Sequence, residues 1–414
     1  MNRGICVIYA FTLAGDDAGV KTLESIMNRN VLLLALSQAL AMTIVSLMLS
    51  ASALVSVELA AGTGWATLPL AAQYLATMLA LHPLARLSAR HGRRPVFIAA
   101  ALVGAAGLAL AVAGVAARSF AVFVVASLGV GVLGAASQFY RFAAAEAVPP
   151  ARRGQAISLA LAGGVLAAFL GTFIARSTRD LLATPFLASF VALVAVALLA
   201  ALLGAGLRLP APARAQAAPS RPLAEIASQG PFRLAVAAAA VAYAVMGLLM
   251  TATPLAMLCA RHDFATTTAV IQWHLVAMFA PSFVTGGLIR RFGARGVMLA
   301  GGVLNLTGIG VALTGDAIPV FQLALVLVGV GWNFLYVGAT TALTDTCRDA
   351  DRPLAQAFND SVVFAAVTVA TLGAGRLVDA LGWAQVNLLA ALPVVALMVA
   401  LLRAGRRPSL ASAP

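Results

Sequence analysis

Charge is what this sequence has least of. Of its 414 residues only 10% are charged and 62% are hydrophobic, whereas a soluble domain carries about 25% charged and 45–50% apolar residues. So few charges cannot cover a water-facing surface. That excludes a soluble enzyme, a disordered chain and a nucleic-acid-binding domain. The net charge of +13 does not restore nucleic acid as a partner, because the arginines sit in short clusters between apolar runs and lysine occurs once, at Lys21. Cys6, Cys259 and Cys347 are scattered, with neither metal-ligand spacing nor a disulfide framework. The chain has no His-Glu-x-x-His, no Gly-x-Ser-x-Gly and no histidine cluster. A membrane-embedded enzyme is therefore only a distant alternative, and no metal or cofactor is implied.

What remains is apolar sequence in runs. Mean hydropathy is +0.98, and the runs are long enough to cross a hydrocarbon core of about 30 Å as helices. Barrel strands would alternate polar and apolar residues, which these runs do not. Backbone groups in lipid must bond within their own segment, so the spans are helical. Twelve are predicted: Val31–Val55, Trp65–Ala85, Pro95–Ala116, Phe120–Tyr140, Gln155–Ala175, Thr184–Leu207, Phe232–Leu258, Thr267–Ile289, Gly296–Thr314, Ile318–Thr341, Phe358–Leu377 and Trp383–Leu402. Residues 208–231, rich in Pro and Ala, read as a cytoplasmic linker between an N-terminal bundle over 27–207 and a C-terminal bundle over 232–403. Residues 404–414 form a tail. The first 26 residues are an extension whose apolar stretch, Gly4 to Gly15, is too short to span, and Met27 is the expected native start.

Positive charge orients the spans. Of the 27 Lys and Arg residues, 22 fall on the side that holds both termini. The opposite side holds Arg118, Arg176, Arg179, Arg261 and Arg376. Both termini are expected to be cytoplasmic, in the inner membrane of a bacterium.

The two halves repeat each other. The loop after span two carries Arg90, Gly92, Arg94 and Val96. The loop after span eight carries Arg291, Gly293, Arg295 and Val297, at a constant offset of 201. At an offset of 200, Gly129 and Gly131 meet Gly329 and Gly331, and Arg176 meets Arg376. Two parallel six-helix repeats are the physical reading. From Met27 onward the chain resembles the major facilitator superfamily of secondary transporters. Its pattern Gly-x-x-x-Asp-Arg-x-Gly-Arg-Arg is matched here by Arg90, Gly92, Arg93 and Arg94, with Ala85 and Ala89 in place of the leading glycine and the acid. The missing acid puts one cytoplasmic latch of that family in doubt. Span five has Gly163-Gly164 and Gly171-Thr172 but lacks the Gly-Pro motif of drug antiporters, which disfavours a proton-coupled multidrug or metabolite exporter. In span eight, His274, Met278-Phe279, Pro281-Ser282 and Thr285-Gly286 resemble a proteobacterial branch of the superfamily close to riboflavin-uptake facilitators.

The resemblance implies an all-α fold of two pseudo-symmetric six-helix bundles, monomeric in lipid, moving a small organic molecule by alternating access. Polar residues well inside spans tend to face a cavity or a partner helix. The substrate-site candidates are accordingly Gln38, Gln73, Tyr74, Tyr243, Gln272, Trp273, Trp332, Asn333 and Tyr336. Trp332 and Tyr336, four apart, share a helix face. His274 is the candidate proton carrier because imidazole titrates near neutral pH, with Asp360 as the other; a neutral His274 bonded to a neighbouring helix is the competing reading. Arg90, Gly92, Arg93, Arg94, Arg291, Gly293 and Arg295 are the candidate switch loops. Tyr140 and Trp65 read as interface-belt residues. With Arg141 placed at a span end and no acid near mid-membrane, the cavity is expected to be uncharged. It would suit a neutral or weakly charged, flat or hydroxylated molecule.

Overall fold

The computed structural model describes residues 28–59, 62–149, 153–209, 221–348 and 351–404. The extension over 1–26, the middle of the linker and the tail beyond 404 lie outside the described residues. Spans one to six are the helices Arg29–Glu58, Leu68–His91, Arg93–Ala116, Phe120–Glu146, Arg153–Thr178 and Leu187–Ala205. Gly230–Cys259 is span seven and Ile318–Thr346 span ten.

The remaining spans are divided by particular residues. Span eight begins as Phe264–Phe279, breaks at Ala280-Pro281 and resumes in the helix Ser282–Ala312. Pro281 has no N–H to give the ladder, and the hydroxyl of Thr285 donates to its carbonyl at 2.8 Å. That same long helix turns at Gly293 into span nine, and Arg352–Ala404 turns at Gly382 from span eleven into span twelve. Gly92 (φ 85°) and Gly293 (φ 74°), the pair that the repeat aligns, both take the left-handed backbone that only glycine adopts without cost. Leu182, at the position matching Gly382, has no such freedom; the first half joins spans five and six through an irregular segment over 179–186 instead.

Small residues let the helices approach. A Cβ on Gly131 would stand 2.3 Å from the carbonyl oxygen of Gln73, and one on its repeat partner Gly331 would stand 2.4 Å from the amide nitrogen of Asn305. Each pins span four or ten against a neighbour of its own half. The halves meet through span two against span eleven and span five against span eight, a crossed arrangement that the repeat makes pseudo-symmetric.

The end of the predicted linker is helical, Leu223–Ser228, and docks on the second half. Ile226 and Phe232 pack with Leu343, Cys347 and Ala355. The guanidinium of Arg221 lies 2.8 Å from the buried carboxylate of Asp351. The backbone N–H of Arg221, with that guanidinium, holds the Asp351 carboxyl below its ordinary range.

Two belt expectations change. Tyr140 is buried edge-to-face on Phe97, with centroids 4.8 Å apart, because span four turns that face inward. Trp65 is half exposed but lies under the Arg376 guanidinium at 3.8 Å. Asp180 pairs with the adjacent Arg179 at 3.6 Å.

Candidate functional site

Between the halves lies a cavity of about 390 Å³. It reaches Arg141, Phe142, Thr341, Thr344 and Gln356, at the arginine-rich ends of spans four, ten and eleven. At the opposite end the halves are closed on each other. Thr172 donates to the Gln272 side-chain oxygen at 2.7 Å. Arg179 lies over the Phe264 ring at 4.9 Å, and Arg376 over Trp65. Each clasp takes an arginine from the end of span five or eleven and an aromatic ring from the start of span eight or two.

The second half supplies an aromatic wall. Trp332 and Tyr336 stack with centroids 5.2 Å apart and planes at 18°, which their four-residue spacing dictates. Tyr243 meets both edge-on at 5.2 and 4.9 Å and approaches Phe364 at 6.0 Å. Phe364 reaches across the interface to Tyr74, 6.4 Å away, and Phe279 closes on Trp332 at 6.1 Å. The first half supplies polar groups, with Gln38, Gln73, Gln138 and Arg141 on the lining.

Hydrogen-bond accounting separates the groups that are free from those already used. The buried side-chain oxygens of Gln38 and Gln73 and the indole N–H of Trp332 have no partner. Asn333 is different. Its amide nitrogen donates to the Met278 carbonyl and to Ser282, both at 2.7 Å, and its oxygen lies 2.6 Å from the Thr285 hydroxyl, whose one proton it shares with the Pro281 carbonyl. It staples span ten to the broken span eight, around Pro281.

Seven of the nine residues expected from sequence thus line one cavity: Gln38, Gln73, Tyr74, Tyr243, Trp332, Asn333 and Tyr336. Gln272 and Trp273 do not. Gln272 belongs to the closed end, and Trp273 is half exposed on the helix surface, edge-on to Phe169 at 6.3 Å. His274 is fully buried away from the lining, its Nδ1 2.6 Å from the Leu325 carbonyl oxygen. A carbonyl can only accept, so Nδ1 carries the proton in that bond. The bond ties span eight to span ten.

The expectation of an uncharged cavity needs correction. Arg141 is half-buried and on the lining that Tyr336 of the other half shares, and its Nε has no partner. Asp360 on span eleven accepts from Asn359 at 3.1 Å. The sequence signal was there: Gln138 and Arg141, three apart, share a helix face. The long side chain reaches back from the span end.

Among the switch-loop residues, Arg93 pairs with Glu146 through two contacts, one of 2.9 Å, within the first half. Arg94 lines a shallow crevice with Glu146 and Arg208. Arg90 is exposed, and Arg291 lies over the adjacent Phe292 ring. Arg295 donates to the carbonyls of Leu401 and Leu402 at 2.8 and 3.1 Å, capping span twelve. No group of three or more metal-ligating side chains occurs among the described residues.

Comparison with known proteins agrees with this architecture. The family model described as Major Facilitator Superfamily matches residues 31–269 and 235–414. The riboflavin transporter RfnT of Brucella anthropi is 37% identical over 375 residues, 90% of this chain and 94% of that protein. The uncharacterized MFS-type transporter YdeG of Bacillus subtilis is 35% identical over 121 residues, 29% of this chain and 28% of its own. In a crystal structure of a variant of the nucleoside transporter NupG, 91% of this chain and 99% of that one superpose with a TM-score of 0.73 at 14% identity, a likeness of fold.

Proposed function

The chain belongs to the major facilitator superfamily of multi-pass membrane transporters, and from that premise we propose that it carries riboflavin or a closely related flavin across the bacterial inner membrane. The observation that carries the reading is the pairing of the stacked Trp332–Tyr336 wall with unpartnered polar atoms on Gln38, Gln73 and Trp332. A flat tricyclic ring with carbonyl, ring-nitrogen and imide N–H groups along one edge satisfies both. Its hydroxylated side chain would extend towards Gln138 and the threonines at the mouth. The similarity to the Brucella anthropi riboflavin transporter supports the same ligand class.

The transport cycle follows from the two ends. With the arginine-rich face taken as cytoplasmic, the cavity is inward-facing and the cation–π clasps hold the outer side shut. Outward opening breaks those clasps and brings the cytoplasmic ends of the bundles together. Gly92 and Gly293 let the tight loops repack as the bundles rock. His274, bonded to Leu325, stays out of proton transfer, and Asp360 on span eleven is the remaining candidate proton carrier. The test is riboflavin entry into proteoliposomes, followed by the ligand's own fluorescence. Saturable entry competed by excess flavin but not by nucleosides is expected. Entry no faster than in empty liposomes would end the reading.

A further inference from the structure

Gln138 and Arg141 lie on the same face of span four at the mouth of the cavity, and only Arg141 is charged. A cation held in a membrane helix is costly, and one that persists there faces a cavity with a function. Tyr336, of the other half, lines the same cavity. The Nε–H of Arg141 is buried with nothing to bond. An arginine fork presents donors in one plane, and a planar acceptor edge is the partner that matches it. Every other side chain on the lining is uncharged, and one guanidinium cannot balance a phosphate dianion taken out of water, so a neutral acceptor edge is favoured over an anion.

We infer that Arg141 is the specificity-determining residue of the cavity. It donates to a carbonyl–ring-nitrogen edge of the ligand while Trp332 and Tyr336 hold the ring face. The inference rests on the flavin reading and sharpens it: an unphosphorylated flavin is preferred to its phosphate ester, and one ring nitrogen next to a carbonyl is read directly.

The test measures binding of riboflavin, 1-deazariboflavin, 5-deazariboflavin and flavin mononucleotide to the purified full-length protein and to Arg141→Gln and Arg141→Lys variants. The deaza analogues keep ring shape and stacking but each replaces one acceptor nitrogen by C–H. A hydrogen bond to a charged donor predicts that Arg141→Gln weakens riboflavin binding by roughly ten- to a hundredfold. Arg141→Lys should recover part of that loss. One deaza analogue should bind the unaltered protein weakly and lose almost nothing further in Arg141→Gln. The phosphate ester should bind no more tightly than riboflavin. Equal losses for riboflavin and both deaza analogues would make Arg141 structural and overturn the inference, as would tighter binding of the phosphate ester. If Arg141→Gln does not fold, Arg141→Lys carries the same comparison of analogues. Absence of riboflavin binding by the unaltered protein is a separate result that removes the flavin reading itself.

Discussion

The two walls of the cavity come from copies of one repeat and no longer resemble each other. The second half presents Trp332, Tyr336, Tyr243 and Phe364, an aromatic surface whose rings brace one another. The first half presents Gln38, Gln73, Gln138 and Arg141, with Tyr74 reaching across to Phe364. Position 341, which the repeat aligns with Arg141, is a threonine. The loops and close helix contacts tell the opposite story. Gly92 and Gly293 share one backbone conformation, and Gly131 and Gly329 press on the carbonyls of Gln73 and His274, which the offset of 201 aligns in spans two and eight. The repeat is preserved where rocking asks the same motion of both halves. It has diverged where a ligand must be gripped on one face and read along one edge.

If that division is right, damage to the aromatic wall should cost affinity for every flat ligand alike. Trp332→Ala removes both a stacking surface and a free N–H. Stacking of a planar heterocycle on an aromatic side chain is worth about 1–3 kcal/mol, which corresponds to roughly a five- to hundredfold loss of affinity. Titration of intrinsic fluorescence with riboflavin and with both deaza analogues should show similar losses for all three. A loss confined to one analogue would place edge recognition on the aromatic wall and collapse the distinction.

Asn333 sharpens the comparison from inside the aromatic wall. It lines the cavity, yet its amide is committed to Met278, Ser282 and Thr285. Asn333→Leu should leave those buried groups unsatisfied, at about 1–3 kcal/mol. A clear drop in melting temperature with riboflavin affinity within about twofold is expected. The reverse pattern, an unchanged melt with weakened binding, would return Asn333 to the ligand.

These two residues also mark what the sequence could and could not disclose. The helical class, the span count, the repeat and the loop glycines were legible because each rests on local physics: run length, charge asymmetry and the backbone freedom of glycine. Seven of the nine residues expected from sequence line the cavity because polar and aromatic groups inside apolar spans have few other places to go. Which of them are free was not. That Asn333 is spent on the broken span eight, or that Trp273 faces outward while Trp332 faces in, depends on how helices are rotated in the bundle. Periodicity gives that poorly when a helix is apolar all round. Arg141 was misplaced because its backbone sits near a span end while its side chain reaches the cavity.

On the polar wall, effects should be smaller and should depend on the ligand. Gln38→Leu and Gln73→Leu each remove one neutral acceptor, worth about 0.5–1.5 kcal/mol, or roughly a two- to tenfold loss. The loss should vanish for a flavin methylated at the imide nitrogen, which has no N–H to offer an acceptor, in at least one of the two variants. Equal losses for the methylated and unmethylated ligands in both variants would mean that the glutamines only shape the pocket.

The smallest expected effect concerns the closed rim, where the halves are still alike. Arg179 over Phe264 and Arg376 over Trp65 are two clasps of the same design, and in each the arginine and the ring come from opposite halves. They lie beyond the cavity, so neither should alter intrinsic ligand affinity. What they bias is the balance between inward- and outward-facing states, because a contact present in one state and absent in the other shifts their ratio by its own free energy. A cation–π contact at a partly exposed site is worth about 0.5–1 kcal/mol, so each loss should move the ratio by roughly two- to fivefold. The clasps share no side chain, so Arg179→Gln and Arg376→Gln together should shift it by close to the product of the single effects. Spin labels at Leu181 and Arg261, exposed rim positions on opposite halves, would follow this as growth of a longer-distance population in pulsed spin-resonance spectra. Growth in one single variant only would make the rim as asymmetric as the cavity. An unchanged distribution in the double variant would mean that Thr172 and Gln272 hold the rim without the clasps.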